Sequence, residues 1–399
     1  MFLLSKQQED DENDDNNERL TYQRRHSRYQ KQFHRALSNH DRRLRQRRIP
    51  RASLQSVTQS AWHRLYFSKN DQALITLTGL DHATFAYLLQ KFEPLFNAHS
   101  PFGSDSDQII VRSTKGRKRR VKAFDILGLV LAWTRTRGSV FSLQMHFGLT
   151  MTNLQMYLRF GKRIIVEVLQ CDPIAQIAIP AAEKIKEYME MVGNVYPELS
   201  DVWASMDGLK TSIQQAGSTT QQSYFYNGWK HSHFVTSVFC FCPDGTIPIA
   251  HMNLPGSTHD STVADWGRIY DKLQSVHAET GAITAVDSAF RMRDAEYIIK
   301  SSQSYQIGVG DTEEEIRRDI RRKRQVTSMR QTAEWGMRAI QSSFPRLCDR
   351  MPFEKRGERR VSMKMMILLY NLRARRVGIN QIRNFFLQAL DNDAREIMN

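Results

Sequence analysis

Between Val202 and Val286 the chain reads as strand, hairpin, helix, strand, and that order limits the fold more than any other feature of its 399 residues. Val202 to Met206 is a short apolar strand. Phe234 to Cys242 and Thr246 to Met252 read as a hairpin over Pro243-Asp244-Gly245, where proline presets one turn dihedral and glycine accepts a positive one. His259 to Leu273 has helical spacing, and Ala282 to Val286 is a second short apolar strand running into Asp287. The expected class is α/β, a mixed sheet flanked by helices.

Ahead of this region the periodicity is helical, which predicts three parts: a tail over 1–52, a helical domain over 53–200 and an α/β domain over 201–390. The tail is split by charge. Its first 20 residues hold seven acids and two bases, and Thr21 to Ala52 holds eleven bases against Asp41 alone, so an acidic disordered segment precedes a basic arm suited to phosphate backbones. The whole chain carries +15 and 41% hydrophobic residues, the balance of a core-forming protein that binds polyanions. Apolar runs such as Ile126 to Trp133 fall short of the roughly 20 residues of a bilayer span. Met1 to Leu4 run at once into Lys6 and acids, unlike a secretory signal, and four cysteines suit a reducing compartment.

Within the helical part, Phe141 to Glu167 reads as two helices hinged at Gly148, with the rhythm of a helix-turn-helix over 142–158. Thr150 or Thr152 can cap the second helix, and Asn153, Gln155 and Arg159 would face a DNA groove; an ordinary helical hairpin is the plainer alternative. The run from Lys115 to Arg120 can serve as a nuclear import signal.

Three carboxylates stand where a sheet and a helix can bring them together. Asp207 closes the first strand, with Gly208 letting the chain turn away, and Asp287 closes the later one. If those strands are neighbours, their ends lie about 5 Å apart, a separation at which two carboxylates repel unless a cation sits between them. Glu334 follows on a helix. An oxygen-rich set of this kind favours Mg²⁺ or Mn²⁺ over Zn²⁺, and two such ions can activate a nucleophile and clamp a phosphate. Taken singly, Asp207 also reads as a turn residue, Asp287 as a helix cap and Glu334 as a solvated position.

The order of elements is that of a ribonuclease H-like core, and the motifs over it carry a family resemblance. Leu254-Pro-Gly-Ser-Thr-His259-Asp260-Ser261 resembles the Pro-Gly-Ser-x-His-Asp-Ser signature of PIF/Harbinger transposases. Tyr226 to His233 is similar to the segment before their second strand, Asp287-Ser-Ala-Phe290 to their Asp-Ser-Gly-Tyr, and Arg330-x-x-x-Glu334 to their Arg-x-x-x-Glu. The resemblance implies a DDE endonuclease with the triad Asp207, Asp287 and Glu334, two divalent metal ions, transposon ends and target DNA as substrates, and action in the nucleus. It also implies a separate Myb-like DNA-binding partner; self-association into a homo-oligomer is a further expectation, with the oligomeric state left open. His259, Asp260, Arg330 and Lys230 would orient the substrate or the metal-binding acids, with direct metal binding by Asp260 as the alternative. Gln341 stands where related bacterial enzymes carry a lysine, leaving Arg338 or Arg346 for that DNA contact. A retained, catalytically silent DNA-binding protein and a nonspecific nuclease are the competing functions.

The cluster Arg317, Arg318, Arg321, Arg322, Lys323 and Arg324 lies between Asp287 and Glu334, which suggests a basic surface for DNA beside the acids; a solvated charged helix is the alternative. Cys240 and Cys242 read as core residues, and His231, His233 and His251 as a polar rim, with zinc as the other use of the histidines.

Overall fold

The computed structural model describes residues 27–32, 35–38, 49–102, 110–111, 119–215, 219–228, 230–290, 295–300, 312–353 and 355–388. The acidic tail, most of the basic arm, Lys115 to Lys118 of the basic run, and 301–311 lie outside the described residues. Two units divide the chain, Met1–Leu54 and Gln55–Asn399. In the first, residues 27–32 and 35–38 are helical and present Arg28, Lys31 and Arg35 on exposed positions. The second holds all the elements that follow.

Its helices are α1 (Ala61–Phe67), α2 (Asp71–Thr78), α3 (His82–Ala98), α4 (Ala123–Arg135), α5 (Phe141–Phe147), α6 (Met151–Leu169) and α7 (Ala182–Val195). A two-residue pair, β1 (His99–Ser100) with β2 (Ile110–Val111), sits between α3 and α4. The main sheet follows with β3 (Val202–Ser212), α8 (Thr219–Phe225), β4 (Tyr226–Asn227), β5 (Ser232–Phe241), β6 (Ile249–Pro255), α9 (Asp260–Trp266), α10 (Ile269–Thr280), β7 (Ile283–Val286), β8 (Ile298–Lys300), α11 (Glu313–Ser343) and α12 (Arg356–Arg376). Strand order is β5-β3-β7-β8 with β6 and β4 both on the outer edge of β5. β3, β5 and β6 are antiparallel neighbours, whereas β7 and β8 run parallel to β3, an arrangement consistent with a ribonuclease H-like DDE domain.

The central strands are buried on both faces, which explains their near-continuous apolar sequence. On β5, Val235, Phe239 and Phe241 join one core cluster, while Val238 and Cys240 join the other. The first cluster extends from Trp62 to Phe386, so the N-terminal helices and the sheet share apolar packing. The second lies under α7, α9 and α10, where Ile185, Tyr188, Val263 and Leu273 close the opposite face. Cys240 and Cys242 are buried free thiols.

Two expectations change. The helix expected over His259 to Leu273 is broken at Gly267-Arg268, where Arg268 takes φ +50° and α10 starts afresh. The charged stretch from Glu313 and the later helical stretch are one helix of 31 residues. Its polar half lacks an apolar stripe because ionic contacts hold it: Arg318 and Arg321 grip Glu198 at 3.0 and 3.1 Å, and Arg322 pairs with Asp201 at 2.6 Å. A Thr312–Glu315 capping box starts it. The helical pair around Gly148 does form, with Gly148 at φ +63° and Leu143, Phe147, Leu149, Leu154 and Leu158 buried. Thr150 takes the cap position without a side-chain cap bond. Among the described residues no helix is long and apolar enough to cross a membrane.

α11 lies on β5 where Gly336 meets the ring of Phe241; a Cβ there would stand 2.4 Å from the ring. Phe241 is buried in the core, so the ring and the helix must shift against packed neighbours to admit a side chain. Gly336→Val adds a β-branched side chain with little helix gain, so it is expected to lower stability by about 2–3 kcal/mol. Equilibrium urea unfolding with an unchanged slope checks this; an unchanged midpoint would show that α11 does not rest on the sheet here.

Candidate active site

The two aspartates are set by strand register. β3 and β7 run parallel with Met206 opposite Val286, so the next residue on each chain is Asp207 and Asp287. Alternation aims both toward the face of Ser205 and Ala285. That face is covered by α11, since Ser205 Oγ and Thr332 Oγ1 are hydrogen-bonded at 2.7 Å. Adjacent strands are about 4.8 Å apart, which is the separation the acids were expected to have.

Asp207 does not close its strand, as the sequence suggested. β3 continues to Ser212, and Gly208 stays in the ladder opposite Val238. The glycine serves a close approach instead. A Cβ on Gly208 would lie 2.4 Å from the Asp260 carboxyl carbon, so only a residue without a side chain leaves room for Asp260. Because residues 207 and 208 point to opposite faces, Asp260 sits across the strand from the two aspartates, at the start of α9 with His259 as N-cap.

Arg330 reaches the acids from α11, its Nη2 lying 2.7 Å from Asp287 Oδ1. The same oxygen accepts the Ser288 N–H at 2.7 Å. Lys300, at the end of β8, donates from Nζ to the carbonyls of Ser288 and Phe290 and so ties down the turn that carries Asp287. Glu334 stands one helical turn past Arg330, about 6 Å further along the axis, on an exposed position. The structure therefore brings Asp207, Asp287 and Arg330 together, sets Asp260 behind them, and leaves Glu334 at the rim.

Burial pushes the Asp207 carboxyl up to about 6, and the charges of Asp287 and Asp260 push in the same direction against the Gly208 N–H and Arg330. Burial also raises Asp260, opposed by Lys210, His259 and Lys230. Asp260 Oδ1 is buried without a hydrogen-bond partner. Asp207 and Asp287 have one close arginine between them, and the orphaned Asp260 oxygen is short of a donor or a cation. The donor set is all oxygen and fits a hard divalent ion such as Mg²⁺. Among the described residues no three His, Cys, Asp or Glu side chains already converge as a metal cage, in keeping with Asp260 across the strand and Glu334 exposed.

The basic cluster is not drawn to these acids. Arg318, Arg321 and Arg322 engage Glu198 and Asp201 before β3, Arg317 engages Glu313, and Lys323 engages Asp319; Arg324 is exposed. Arg338 is exposed further along α11. Asn153, Gln155 and Arg159 are exposed on α6, where Arg159 Nε lies 3.0 Å from Glu358. His233 is buried beside Tyr226 rather than with His251. Sequence reading missed Lys300 and Lys210, because their roles depend on strand register; a lone lysine on a strand gives no local signal.

An acid whose folded pKa is raised binds its proton more tightly when folded, so stability falls as pH rises from the unfolded value near 4 through about 6. Asp207→Asn is expected to remove that slope and to gain about 1–3 kcal/mol above pH 7. Urea midpoints at pH 4.5 and 7.5 measure it, and parallel shifts in wild type and variant would contradict the assigned environment.

Neither a curated protein nor a solved structure matches the chain. One family does: residues 206–371, which run from the middle of β3 into α12 and include Asp207, Asp260, Asp287, Arg330 and Glu334, match the family described as DDE superfamily endonuclease.

Proposed function

We propose that the chain is a metal-dependent DNA endonuclease of PIF/Harbinger transposase type that cuts and joins phosphodiesters in the nucleus, in concert with a Myb-like DNA-binding partner. The observation that carries the reading is the pairing of Asp207 with Asp287 on one face of adjacent parallel strands, inside the segment that matches the endonuclease family. Asp207 and Asp287 would hold the divalent ions, with Glu334 as the third carboxylate. When bound, such ions supply a polarised phosphoryl oxygen and a nucleophile of lowered pKa. The residues of the chain do the rest. Arg330 fixes the Asp287 carboxylate and Lys300 fixes its turn. Asp260, seated on Gly208, adds negative potential behind Asp207 and so strengthens the demand for a cation. His259 and Lys230 flank that acid on exposed positions from which they can meet a DNA phosphate.

A second reading rests on the 2.7 Å ion pair of Arg330 with Asp287, which already gives this carboxylate a cation. In that case the chain binds DNA in the nucleus without cutting it.

Nicking of supercoiled plasmid separates the two. The wild-type chain is expected to nick with Mg²⁺ or Mn²⁺ and to stop when the ion is chelated, while Asp207→Asn and Asp287→Asn each lose about a hundredfold or more. Metal-dependent nicking that survived Asp287→Asn would remove the proposed site. DNA binding with no nicking under either ion would establish the silent protein instead.

A further inference from the structure

A second charged site lies away from the acids, in a cavity of about 260 Å³ between α6, α12 and the turn at 345–353. Met351 in its wall pairs with Ile213 just past β3, so the cavity lies about 20 Å along the strand from Asp207. Its floor is Trp133 of α4. Lys162 of α6 places its ammonium 3.2 Å from the centroid of that ring, and Arg346 covers the same ring at 5.2 Å.

The cations here outnumber the acids. Asp349 is engaged by Arg346 at 3.3 Å and Arg137 at 3.7 Å, and Glu358 by Arg159 at 3.0 Å and Lys355 at 3.8 Å. Arg359 is used up on the carbonyls of Pro352 and Phe353 and on Asn253. Lys162 and Arg350 have no carboxylate within ion-pair distance among the described residues. Lys162 has one hydrogen bond, to Ser362 Oγ at 3.2 Å, and an ammonium has three donors.

We propose that this cavity binds a phosphate group, seated on Lys162 above Trp133 with Arg350 and Lys355 at its mouth. A tetrahedral anion satisfies together the unmatched guanidinium and the ammonium donor that neither Ser362 nor the Trp133 ring takes up, which a single carboxylate does less well. The state of Lys162 supports the same ligand. Although the residue is only half-buried, enclosure of its ammonium pushes it down to about 7, Glu358 opposes that, and Arg346, Arg159 and Lys355 push it further. A bound anion reverses the effect, so binding takes up a proton. Gln155 and Arg159, the side chains that a helix-turn-helix would aim at a DNA groove, line this cavity.

Inorganic sulfate tests the site by calorimetry on the full chain, because sulfate keeps both charges throughout the range and any pH dependence belongs to the protein. Its affinity is expected to fall about thirtyfold from pH 6 to pH 8.5, the loss of charge on a lysine that titrates near 7. Lys162→Met is expected to weaken binding at pH 6 at least tenfold and to abolish the pH dependence. The double variant Arg350→Gln with Lys355→Gln, both at exposed positions, is expected to weaken it severalfold, and it decides the matter if Lys162→Met does not fold. Failure of the wild type to bind sulfate or inorganic phosphate, or affinity unchanged in either variant, overturns the proposal. Duplex DNA that displaces sulfate assigns the site to a backbone phosphate. Displacement by a nucleoside monophosphate and not by duplex assigns it to a free phosphate ester.

Discussion

Everything at the acid site depends on the parallel pairing of β3 with β7. A slip of one residue would turn Asp287 to the opposite face and leave Asp207 beside Ser288. The register is held from within: Trp203 Nε1 donates to Thr284 Oγ1 at 3.0 Å in the core, and the Ile283 N–H donates to the Asp201 carbonyl at 2.7 Å. An irregularity between Val202 and Ala204 absorbs the mismatch before the acids are reached. The charged contacts are built on this frame. Arg322 and Arg330 fasten one helix both to the start of β3, at Asp201, and to the end of β7, at Asp287, so α11 spans the parallel pair.

What was legible in the sequence is what local pattern determines. The hairpin over Pro243-Asp244-Gly245 could be read because turn chemistry is local, and Gly245 takes φ +80° as such a turn requires. The strand ending at Asp287 was legible for the same reason. Gly208 was misread because a glycine inside a strand looks like a stop, whereas here its missing side chain makes room for a carboxylate 52 positions later in the chain. The first half of α11 carries no apolar period, because ionic anchoring leaves no such signal in the sequence. Lys300 and the Lys162–Trp133 pair were invisible, since strand register and helix packing alone bring them to their partners.

The two charged sites are opposites built on one principle. Around Gly208 three acids share a partly buried space, and Asp207 is driven toward its neutral form, up to about 6. Around Trp133 several cations share another, and Lys162 is driven the same way, down to about 7. Packing alone favours neither arrangement, since an apolar residue of similar shape would avoid the desolvation that both suffer. Each is offset only when a charge of the opposite sign enters: a cation among the acids, an anion among the bases. The net +15 of the chain is no measure of what it binds, because four cations of α11, Arg318, Arg321, Arg322 and Arg330, are spent on Glu198, Asp201 and Asp287, while Lys162 and Arg350 stand in the cavity without a carboxylate at ion-pair distance among the described residues.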